Sequence, residues 1–269
     1  FSIRNPKDKK VVQFATVANR ETPDGGSTIL TGNQKVLSAR LSDAKFFWDN
    51  DLRTIKTDGL DIWLEKLKKV TFHNKLGSQF ERVERIINLS EIIAKKIGCD
   101  PKLAKDAAYI SKADLSSEMV YEFPELQGIM GTYYAKKAGY AASVSETCKD
   151  HYAPLGPSDE VPGSPISTVV ALADKIDTLT NFWAIEEKPT GSKDPFALRR
   201  SALGMIRIII ENDIRISLSE ILALGNQNAN IEDLKELIYQ RMKVFLREKE
   251  LRHDIIDACL SIDKEDDLA

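Results

Sequence analysis

The sequence has no apolar run long enough for a membrane-spanning helix. Such a helix needs about 20 consecutive apolar residues, whereas the apolar runs here are short; the one at residues 208–210, for example, is bounded by Arg207 and Glu211. No secretory signal, with its basic start and apolar centre, is recognisable either. The two absences predict a cytoplasmic chain without a membrane partner.

Cysteine and histidine are also scarce, with three of each: Cys99, Cys148, Cys259, His73, His151 and His253. The cysteines are odd in number and far apart. They give neither a disulfide framework nor a zinc signature, which favours a reducing compartment. We expect them to be small buried hydrophobes. The histidines have no metal-ligand spacing, so we predict structural or surface positions for them and no metal site.

Length and composition are those of an ordinary globular protein. The chain has 269 residues, of which 42% are hydrophobic and 29% charged, enough for one large domain or two. Its net charge of −3 and pI near 5.8 disfavour non-specific affinity for RNA. Because the first residue is Phe1 rather than Met, we expect a piece of a longer chain.

Residues 1–57 carry a mixed pattern. Residues 11–17 are rich in β-branched and aromatic side chains, which favours a strand. We predict further strand pieces at residues 27–30 and 36–41, and a short helix over residues 42–49. The pattern indicates the C-terminal part of a small α+β domain.

From residue 58 onward the periodicity is helical, which makes the chain mainly α. Glycine and proline mark the helix ends. Gly98 ends one predicted helix, and Pro101 begins the next, which is expected to reach residue 114. A third helix is predicted from Pro124 to residue 138.

The later helices are marked in the same way. Pro165 begins a strongly apolar helix. Asp194 is predicted to cap a helix whose first residue is Pro195 and which ends near residue 212. Two more helices are predicted over residues 231–262.

The segment at residues 188–207 concentrates positive charge in a chain that is acidic overall. It holds five basic residues against one acidic residue, Asp194; the five are Lys188, Lys193, Arg199, Arg200 and Arg207. A glycine-containing loop leads into a helix, whose free amides and dipole favour anions. The spacing of a phosphate-binding loop is absent. We predict contacts to a phosphate backbone, with a solvated basic helix face as the alternative.

Two helical segments, residues 107–115 and 171–179, resemble the HD-domain superfamily of metal phosphohydrolases. The Ala-Asp-Lys sequence around Asp174 matches the later aspartate of that superfamily. Ser111 and Lys112 stand where its His-Asp pair would be, so the resemblance implies a degenerate site. We expect Lys112 to pair with Asp174 in place of the metal. An ordinary cap or ion pair of Asp174 is the alternative.

Three charged side chains near these segments need an explanation. Asp177 lies on the apolar face of its predicted helix and therefore needs a cationic or hydrogen-bonding partner; one sequence does not decide whether it is only structural. An apolar stripe through Val83 and Ile87 predicts that Arg82 and Arg85 face outward. An i,i+4 pair of Glu81 with Arg85 would stabilise their helix.

Taken together, the chain resembles the beta subunit family of the bacterial heterotetrameric glycyl-tRNA synthetase. The matching stretches span nearly the whole chain and lie at residues 17–19, 32–47, 72–78, 118–131, 188–200 and 252–257. The chains of that family are much longer, so the resemblance implies an internal fragment. It implies three parts: the end of an α+β domain (1–57), a degenerate HD-like helical domain (58–215) and the start of a helical body domain (216–269).

The resemblance also implies a division of labour. In that family the alpha subunit activates glycine with ATP and Mg²⁺, and the beta subunit recognises tRNA(Gly) for the transfer; two of each form the enzyme. This chain would then hold no catalytic residue, cofactor or metal, and its partners would be tRNA(Gly) and the alpha subunit. Two alternatives are an HD phosphohydrolase acting on nucleotides and a scaffold that only docks the alpha subunit.

Charge and placement, rather than a motif, select the predicted tRNA contacts. We predict that the five basic residues of the segment 188–207 hold the acceptor arm by its phosphates. Arg82, Arg85 and Lys112 are predicted as secondary contacts.

Overall fold

The computed structural model describes residues 1–260 and 266–268 and forms two compact units, Phe1–Asn50 and Asp51–Ala269. Most of the described residues are helical, which confirms the mainly α prediction. The division into three domains stays a prediction. Among the described residues, no helix is both long and apolar enough to cross a bilayer.

The first unit contains a two-stranded antiparallel sheet and most of one long helix. Strand β1 (Ser2–Arg4) pairs with β2 (Val11–Phe14). Helix α1 (Ser27–Asp58) follows, and its residues from Asp51 onward belong to the second unit. The strand predicted at residues 11–17 is confirmed over its first four residues.

The strands predicted at residues 27–30 and 36–41 are wrong, because α1 is continuous there. Asp24 stabilises the start of this helix: its carboxylate accepts hydrogen bonds from the Thr28 amide at 2.9 Å and the Thr28 hydroxyl at 2.6 Å. Hydrogen bonds from Thr22 and Thr28 hold the pKa of Asp24 well below its usual range. The carboxylate at the helix start is therefore ionised.

The second unit is helical apart from one short hairpin. After α1 it contains α2 (Asp61–Leu67), β3 (Thr71–His73), β4 (Gly77–Ser78), α3 (Gln79–Lys96), α4 (Pro101–Ile110), α5 (Glu118–Glu122), α6 (Ile129–Lys137), α7 (Ala142–Asp150), α8 (Pro165–Ala184), α9 (Leu198–Glu211), α10 (Leu218–Ala223), α11 (Ile231–Glu248) and α12 (His253–Leu260). Short 3₁₀ turns lie at Ala113–Ser116 and Pro124–Leu126. The two helices predicted for residues 231–262 correspond to α11 and α12; residues 261 and 262 lie outside the described residues.

Helix α8 is the centre of the second unit. It packs against α3, α4, α7, α9, α10 and α11. Pro165 stands at its first position, as predicted, and every residue from Ile166 to Trp183 is buried. Because this burial includes aspartate and lysine side chains, each of them needs a partner in the interior.

Helix α3 begins and ends with the signals that the sequence contains. The Ser78 amide donates to the Glu81 carboxylate at 2.6 Å, and the Glu81 amide donates to the Ser78 hydroxyl at 3.2 Å, which is a capping box. Gly98 follows the helix with a φ of 76°, as predicted for a C-terminal glycine. The hydrogen bonds with Ser78 and, to a smaller extent, the charge of Arg85 lower the pKa of Glu81, so the predicted i,i+4 pair adds to the cap.

Two predicted helices are shorter than expected. Helix α4 begins at Pro101 as predicted but ends at Ile110. Pro124 opens only a 3₁₀ turn, and α6 starts after Gly128. Asp114, a buried carboxylate, fixes the start of α6: it accepts hydrogen bonds from the Gly128 amide at 2.6 Å and the Gly131 amide at 2.9 Å. Gly128 meets this geometry with a φ of 77°.

Candidate nucleic-acid interface

Lys112 and Asp174 form a buried ion pair at the centre of the second unit. Lys112 lies just beyond the end of α4, and Asp174 lies in the middle of α8. Their Nζ and Oδ1 atoms are 2.9 Å apart, with side chains 2% and 12% exposed. The predicted pairing is confirmed. Although burial opposes it, Arg82 and Lys112 hold the pKa of Asp174 well below its usual range, so the carboxylate is ionised.

Arg82 and Arg85 face the interior, so the prediction that they face outward is wrong. Arg82 Nη2 donates to Asp174 Oδ1 at 3.0 Å and to Thr178 Oγ1 at 2.8 Å. Arg85 Nε donates to Asp177 Oδ1 at 2.6 Å. The arginine side chains are 14% and 30% exposed. They turn inward because ionised carboxylates on a buried helix require cationic partners.

Asp177 is completely buried, and its charge is balanced by two arginines of α3. Besides Arg85, it meets Arg82 Nε at 3.5 Å and accepts a hydrogen bond from Asn181 Nδ2 at 2.8 Å. Burial raises the pKa of Asp177, and the hydrogen bond from Arg85 opposes that rise. The geometry gives Asp177 a structural role, because it ties α3 to α8.

His151 is the partner of Lys112 that sequence reasoning missed. Its Nε2 atom lies 3.0 Å from Lys112 Nζ, and its Nδ1 atom lies 2.8 Å from the carbonyl oxygen of Thr147. Because the ammonium donates and the carbonyl accepts, Nε2 must accept and Nδ1 must carry the proton. No spacing in the sequence could show this pair, since the residues are 39 positions apart and meet through packing of α7 on α4.

We refer to Arg82, Arg85, Lys112, His151, Asp174 and Asp177 as the Asp174 network. Acidification is expected to destabilise the folded chain through His151. Burial, reinforced by Lys112, lowers the pKa of His151 from 6.5 to about 3. Between these values the unfolded state binds more protons than the folded state, so stability falls as pH falls. The loss between pH 7 and pH 5 should be about 2 kcal/mol.

The variant His151→Gln checks this pH dependence in urea unfolding. The variant lacks the titrating ring. The difference in the free energy of unfolding between parent and variant should therefore shrink by about 2 kcal/mol from pH 7 to pH 5. Other buried acids titrate equally in both proteins and cancel in the difference. A difference that stays constant across this range would contradict a neutral His151.

The Asp174 network does not fit a divalent cation. Metal ligands are neutral or anionic donors, but here the ammonium of Lys112 stands 2.9 Å from Asp174. Ser111, the other residue at the expected His-Asp position, is buried and donates its hydroxyl to the Ala108 carbonyl at 2.8 Å. Over residues 1–260 and 266–268, no group of three or more His, Cys, Asp and Glu could hold a metal ion. The positive charge beside Asp174 is that of Lys112.

Lys175 adds a further buried positive charge on α8 that sequence reasoning did not select. Its Nζ atom donates to the carbonyl oxygens of Ala153 at 2.8 Å and His151 at 3.4 Å. Burial lowers the pKa of Lys175 to about 8. The available signal was its position in a helix whose residues are buried on every side, so that a lysine there cannot reach solvent.

The basic segment 188–207 contains a cap that is displaced from its predicted position. Asp194 accepts hydrogen bonds from the amides of Leu198 at 2.8 Å and Arg199 at 3.0 Å. The capping role of Asp194 is therefore confirmed. Helix α9 nevertheless begins at Leu198 and not at Pro195, because Ala197 adopts a left-handed conformation with a φ of 54°. The carboxylate occupies the amides that would otherwise attract an anion.

Two of the five basic residues in this segment are already paired within the chain. Lys188 Nζ lies 2.7 Å from Glu186 and 2.9 Å from Asp233, and these hydrogen bonds raise its pKa. Arg207 is 7% exposed and pairs with Glu211 at 2.8 Å; it also donates to two backbone carbonyls. The positive charge of the segment is thus smaller at the surface than the sequence suggests.

Lys193 and Arg200 are the basic residues of this segment that remain exposed. Neither side chain makes a hydrogen bond or ion pair with the part of the chain that the structure describes. Arg199 is half-buried and donates to the Gly191 carbonyl at 2.8 Å. The surface available to a polyanion is therefore centred on Lys193 and Arg200.

A cavity of about 310 Å³ joins Arg200 to the Asp174 network. Its walls include Phe72, Tyr152, Phe182 and Phe196. Its basic lining residues are Arg82, Lys112, Lys175 and Arg200, against the single carboxylate of Asp174. This cavity brings together residues that the sequence analysis treated as two separate sites. Its charge and aromatic content suit an anionic ligand with a flat ring.

Comparison with known proteins identifies a family. A family model described as glycyl-tRNA synthetase beta subunit matches residues 1–261. The chain is 60% identical over 269 residues to the glycine–tRNA ligase beta subunit of Ruegeria sp. (strain TM1040). It is 58% identical over 268 residues to that of Paracoccus denitrificans (strain Pd 1222). Each alignment covers 100% of this chain but 39% of the relative, so the chain spans about 40% of the length of these curated relatives.

Proposed function

The chain belongs to the glycyl-tRNA synthetase beta subunit family, and from that premise we propose that it acts in glycine–tRNA ligase by holding tRNA(Gly). Glycine is activated with ATP and Mg²⁺ on the alpha subunit, outside this chain, and is then transferred to the tRNA. The partners are tRNA(Gly) and the alpha subunit, in an assembly of two alpha and two beta chains. The enzyme works in the cytoplasm.

The observation that carries this proposal is the pair of exposed, unpaired cations at Lys193 and Arg200. Unpaired cations in a chain of net charge −3 form a local attraction for a polyanion. Phosphate contacts of this kind fix the position and orientation of a nucleic acid without reading its bases. Lys193 and Arg200 therefore suit the backbone of the acceptor arm.

The remaining basic residues contribute less directly to the proposed surface. The donors of Lys188 and Arg207 are used by carboxylates and carbonyls, so we leave both out. Arg85 is committed to Asp177. Arg82 and Lys112 line the cavity beneath Arg200 and supply positive potential there. We further propose that the fold around the Asp174 network is a degenerate HD-like domain in which Lys112 has replaced a metal.

The catalytic contribution of such a surface is positioning. A tRNA held by its acceptor phosphates presents its terminal ribose to the activated glycine on the alpha subunit. Correct placement of two reactants can lower a barrier by several kcal/mol, with upper estimates of roughly 7–11 kcal/mol. This chain then supplies orientation and not a reacting group.

Removal of the two exposed charges is expected to weaken tRNA binding. The double variant Lys193→Ser/Arg200→Ser should bind tRNA(Gly) less tightly. The slope of log K against log salt should flatten by about one unit for each phosphate that no longer meets a cation. Filter binding of the intact chain at several salt concentrations measures both quantities.

The matched control is Lys102→Ser/Lys137→Ser, which removes two exposed lysines from α4 and α6. It should leave the affinity and the salt slope close to those of the parent. Equal behaviour of both double variants would remove Lys193 and Arg200 from the contact surface. Retention of the alpha subunit without any tRNA binding would favour a scaffold, and hydrolysis of nucleotides with added metal would favour a phosphohydrolase.

A further inference from the structure

The 310 Å³ cavity lies beside a second cavity, and the two share part of their walls. The second cavity has a volume of about 230 Å³ and shares Pro154, Leu155 and Arg200 with the first. Its basic lining residues are Arg199, Arg200 and Arg241, and its acidic one is Glu248. Arg200 therefore stands between an aromatic cavity on one side and a group of arginines on the other.

The first cavity has an aromatic wall. Phe182 and Phe196 are stacked, with ring centroids 4.2 Å apart and planes inclined by 22°, and Phe72 meets Phe182 edge-on at 5.7 Å. Phe182 is 4% exposed, whereas Phe196 is half-buried. Phe196 is thus held rigidly from behind while part of its surface faces the cavity. Aromatic rings of this kind stack on unpaired nucleobases of any sequence.

The floor of the first cavity can pair with the edge of a base. Lys112 has three N–H donors, two of which are directed at Asp174 and His151. Asp174 and Thr178 lie at the same floor; each already accepts a hydrogen bond from Arg82 and has a further acceptor lone pair. The edge of a nucleobase also presents donors and acceptors side by side, so it can form complementary hydrogen bonds with this floor.

Arg241 lines the second cavity and makes no ion pair with any described residue. Its Nε atom is buried and cannot contact an anion in the cavity, so Arg241 would act there through the charge of its guanidinium group. A cation without a counter-charge at a cavity wall favours an anionic ligand. Arginine forks are the usual partners of phosphate groups.

We propose that the two cavities together seat one unpaired nucleotide of an RNA. The base lies against Phe196 over the floor of the first cavity, and its phosphate lies on Arg199, Arg200 and Arg241 in the second. The proposal rests on the proposed function and extends it, because it adds a base-stacking site to the contacts with the tRNA phosphate backbone. A paired base is buried in its helix and cannot reach Phe196, so the site selects unpaired positions.

The proposed nucleotide site can be tested in the unmodified chain by comparing its affinity for single-stranded RNA with its affinity for duplex RNA of equal length. Fluorescence anisotropy with a labelled eight-nucleotide single strand, and with the same strand in a blunt duplex, measures the preference. The single strand should bind at least about fivefold more tightly, which corresponds to one stacked base. Tighter or equal binding of the duplex overturns the proposal.

Two variants test the named contacts. Phe196→Leu keeps an apolar side chain against Phe182 and should weaken single-strand binding by about fivefold to a hundredfold, with duplex binding unchanged. Arg241→Gln should flatten the salt dependence of single-strand binding by about one unit. The controls are Phe80→Leu, a half-buried phenylalanine on α3, and Arg252→Gln, an exposed arginine; both should match the parent.

Competition by guanosine monophosphate separates an RNA site from a site for a free nucleotide. The proposal expects the free nucleotide to displace the single strand only at far higher concentration, because it lacks the neighbouring phosphates. Displacement at concentrations equal to those of the RNA overturns it. If Phe196→Leu has no effect while Lys193→Ser/Arg200→Ser weakens tRNA binding, the proposed nucleotide site is wrong, but the proposed contacts with the tRNA phosphates remain supported.

Discussion

Replacement of Asp177 by alanine is expected to destabilise the folded chain by about 3–5 kcal/mol. The side chain is completely buried and accepts from Arg85 at 2.6 Å and Asn181 at 2.8 Å, with Arg82 at 3.5 Å. Without this carboxylate, the guanidinium groups of Arg82 and Arg85, which are only 14% and 30% exposed, lose one of their counter-charges. The cost is that of an uncompensated buried charge, and urea unfolding measures it.

The control for Asp177→Ala is Glu146→Gln in the same unit. Glu146 pairs with Lys136 at 3.4 Å, but the two side chains are 52% and 48% exposed. Such a surface pair contributes about 0–1 kcal/mol. Similar losses in the two variants would mean that Asp177 is solvated in the folded chain and that it does not hold α3 against α8.

Replacement of Gly128 by alanine is expected to destabilise the second unit strongly. Gly128 has a φ of 77°, which alanine tolerates poorly. An added Cβ atom would also lie 2.7 Å from the backbone oxygen of Cys148 and 3.1 Å from the Lys149 Cα atom. The backbone of α7 cannot move away as a flexible side chain could. The expected loss is about 1 kcal/mol for the conformation plus about 1–3 kcal/mol for overpacking.

Gly98 separates these two contributions. Its φ of 76° is nearly the same, but a Cβ atom added there would have no neighbouring atom within 4 Å. Gly98→Ala should therefore lose only the conformational part, measured by the same unfolding experiment. Equal losses for Gly98→Ala and Gly128→Ala would show that the approach to Cys148 relaxes at no cost.

The sequence predicted helix ends best where one residue decides them. Pro165 and Gly98 mark real boundaries because a fixed φ or a left-handed conformation acts within a single turn. The start of α9 was misplaced by three residues, since Asp194 caps from farther away through a left-handed Ala197. The capping role of Asp194 was predicted correctly, but the sequence did not show that the helix begins only at Leu198.

The errors at Arg82 and Arg85 come from a small error in helix phase. The predicted stripe ran through Ile87, whereas the buried face of α3 runs through Val83, Ile86 and Leu89. Arg82 lies one turn before Ile86 and Arg85 one turn before Leu89, so both arginines are on the side of the helix that is buried. This position brings both arginines to the border of the core, where the carboxylates of α8 attract them.

Distance along the chain explains what else was missed. The pairing of Lys112 with Asp174 could be predicted, because a family pattern links those two segments. The contact of Lys188 with Asp233 and that of Lys112 with His151 depend on tertiary packing and leave no periodic signal. In the first unit, residues 27–49 were divided into strands and a short helix, although all of them belong to α1. Asp24, which stabilises the start of α1, was interpreted as part of a turn between strands.

The proposed replacement of a metal by Lys112 has a consequence for how this fold is maintained in a cell. A bound ion stabilises a protein only in proportion to its free concentration, so scarcity or chelation weakens the structure. The counter-charge of Asp174 is attached covalently to the same chain and is present from the moment of synthesis. Integrity of this region is thereby uncoupled from metal supply, and EDTA should leave its melting temperature unchanged.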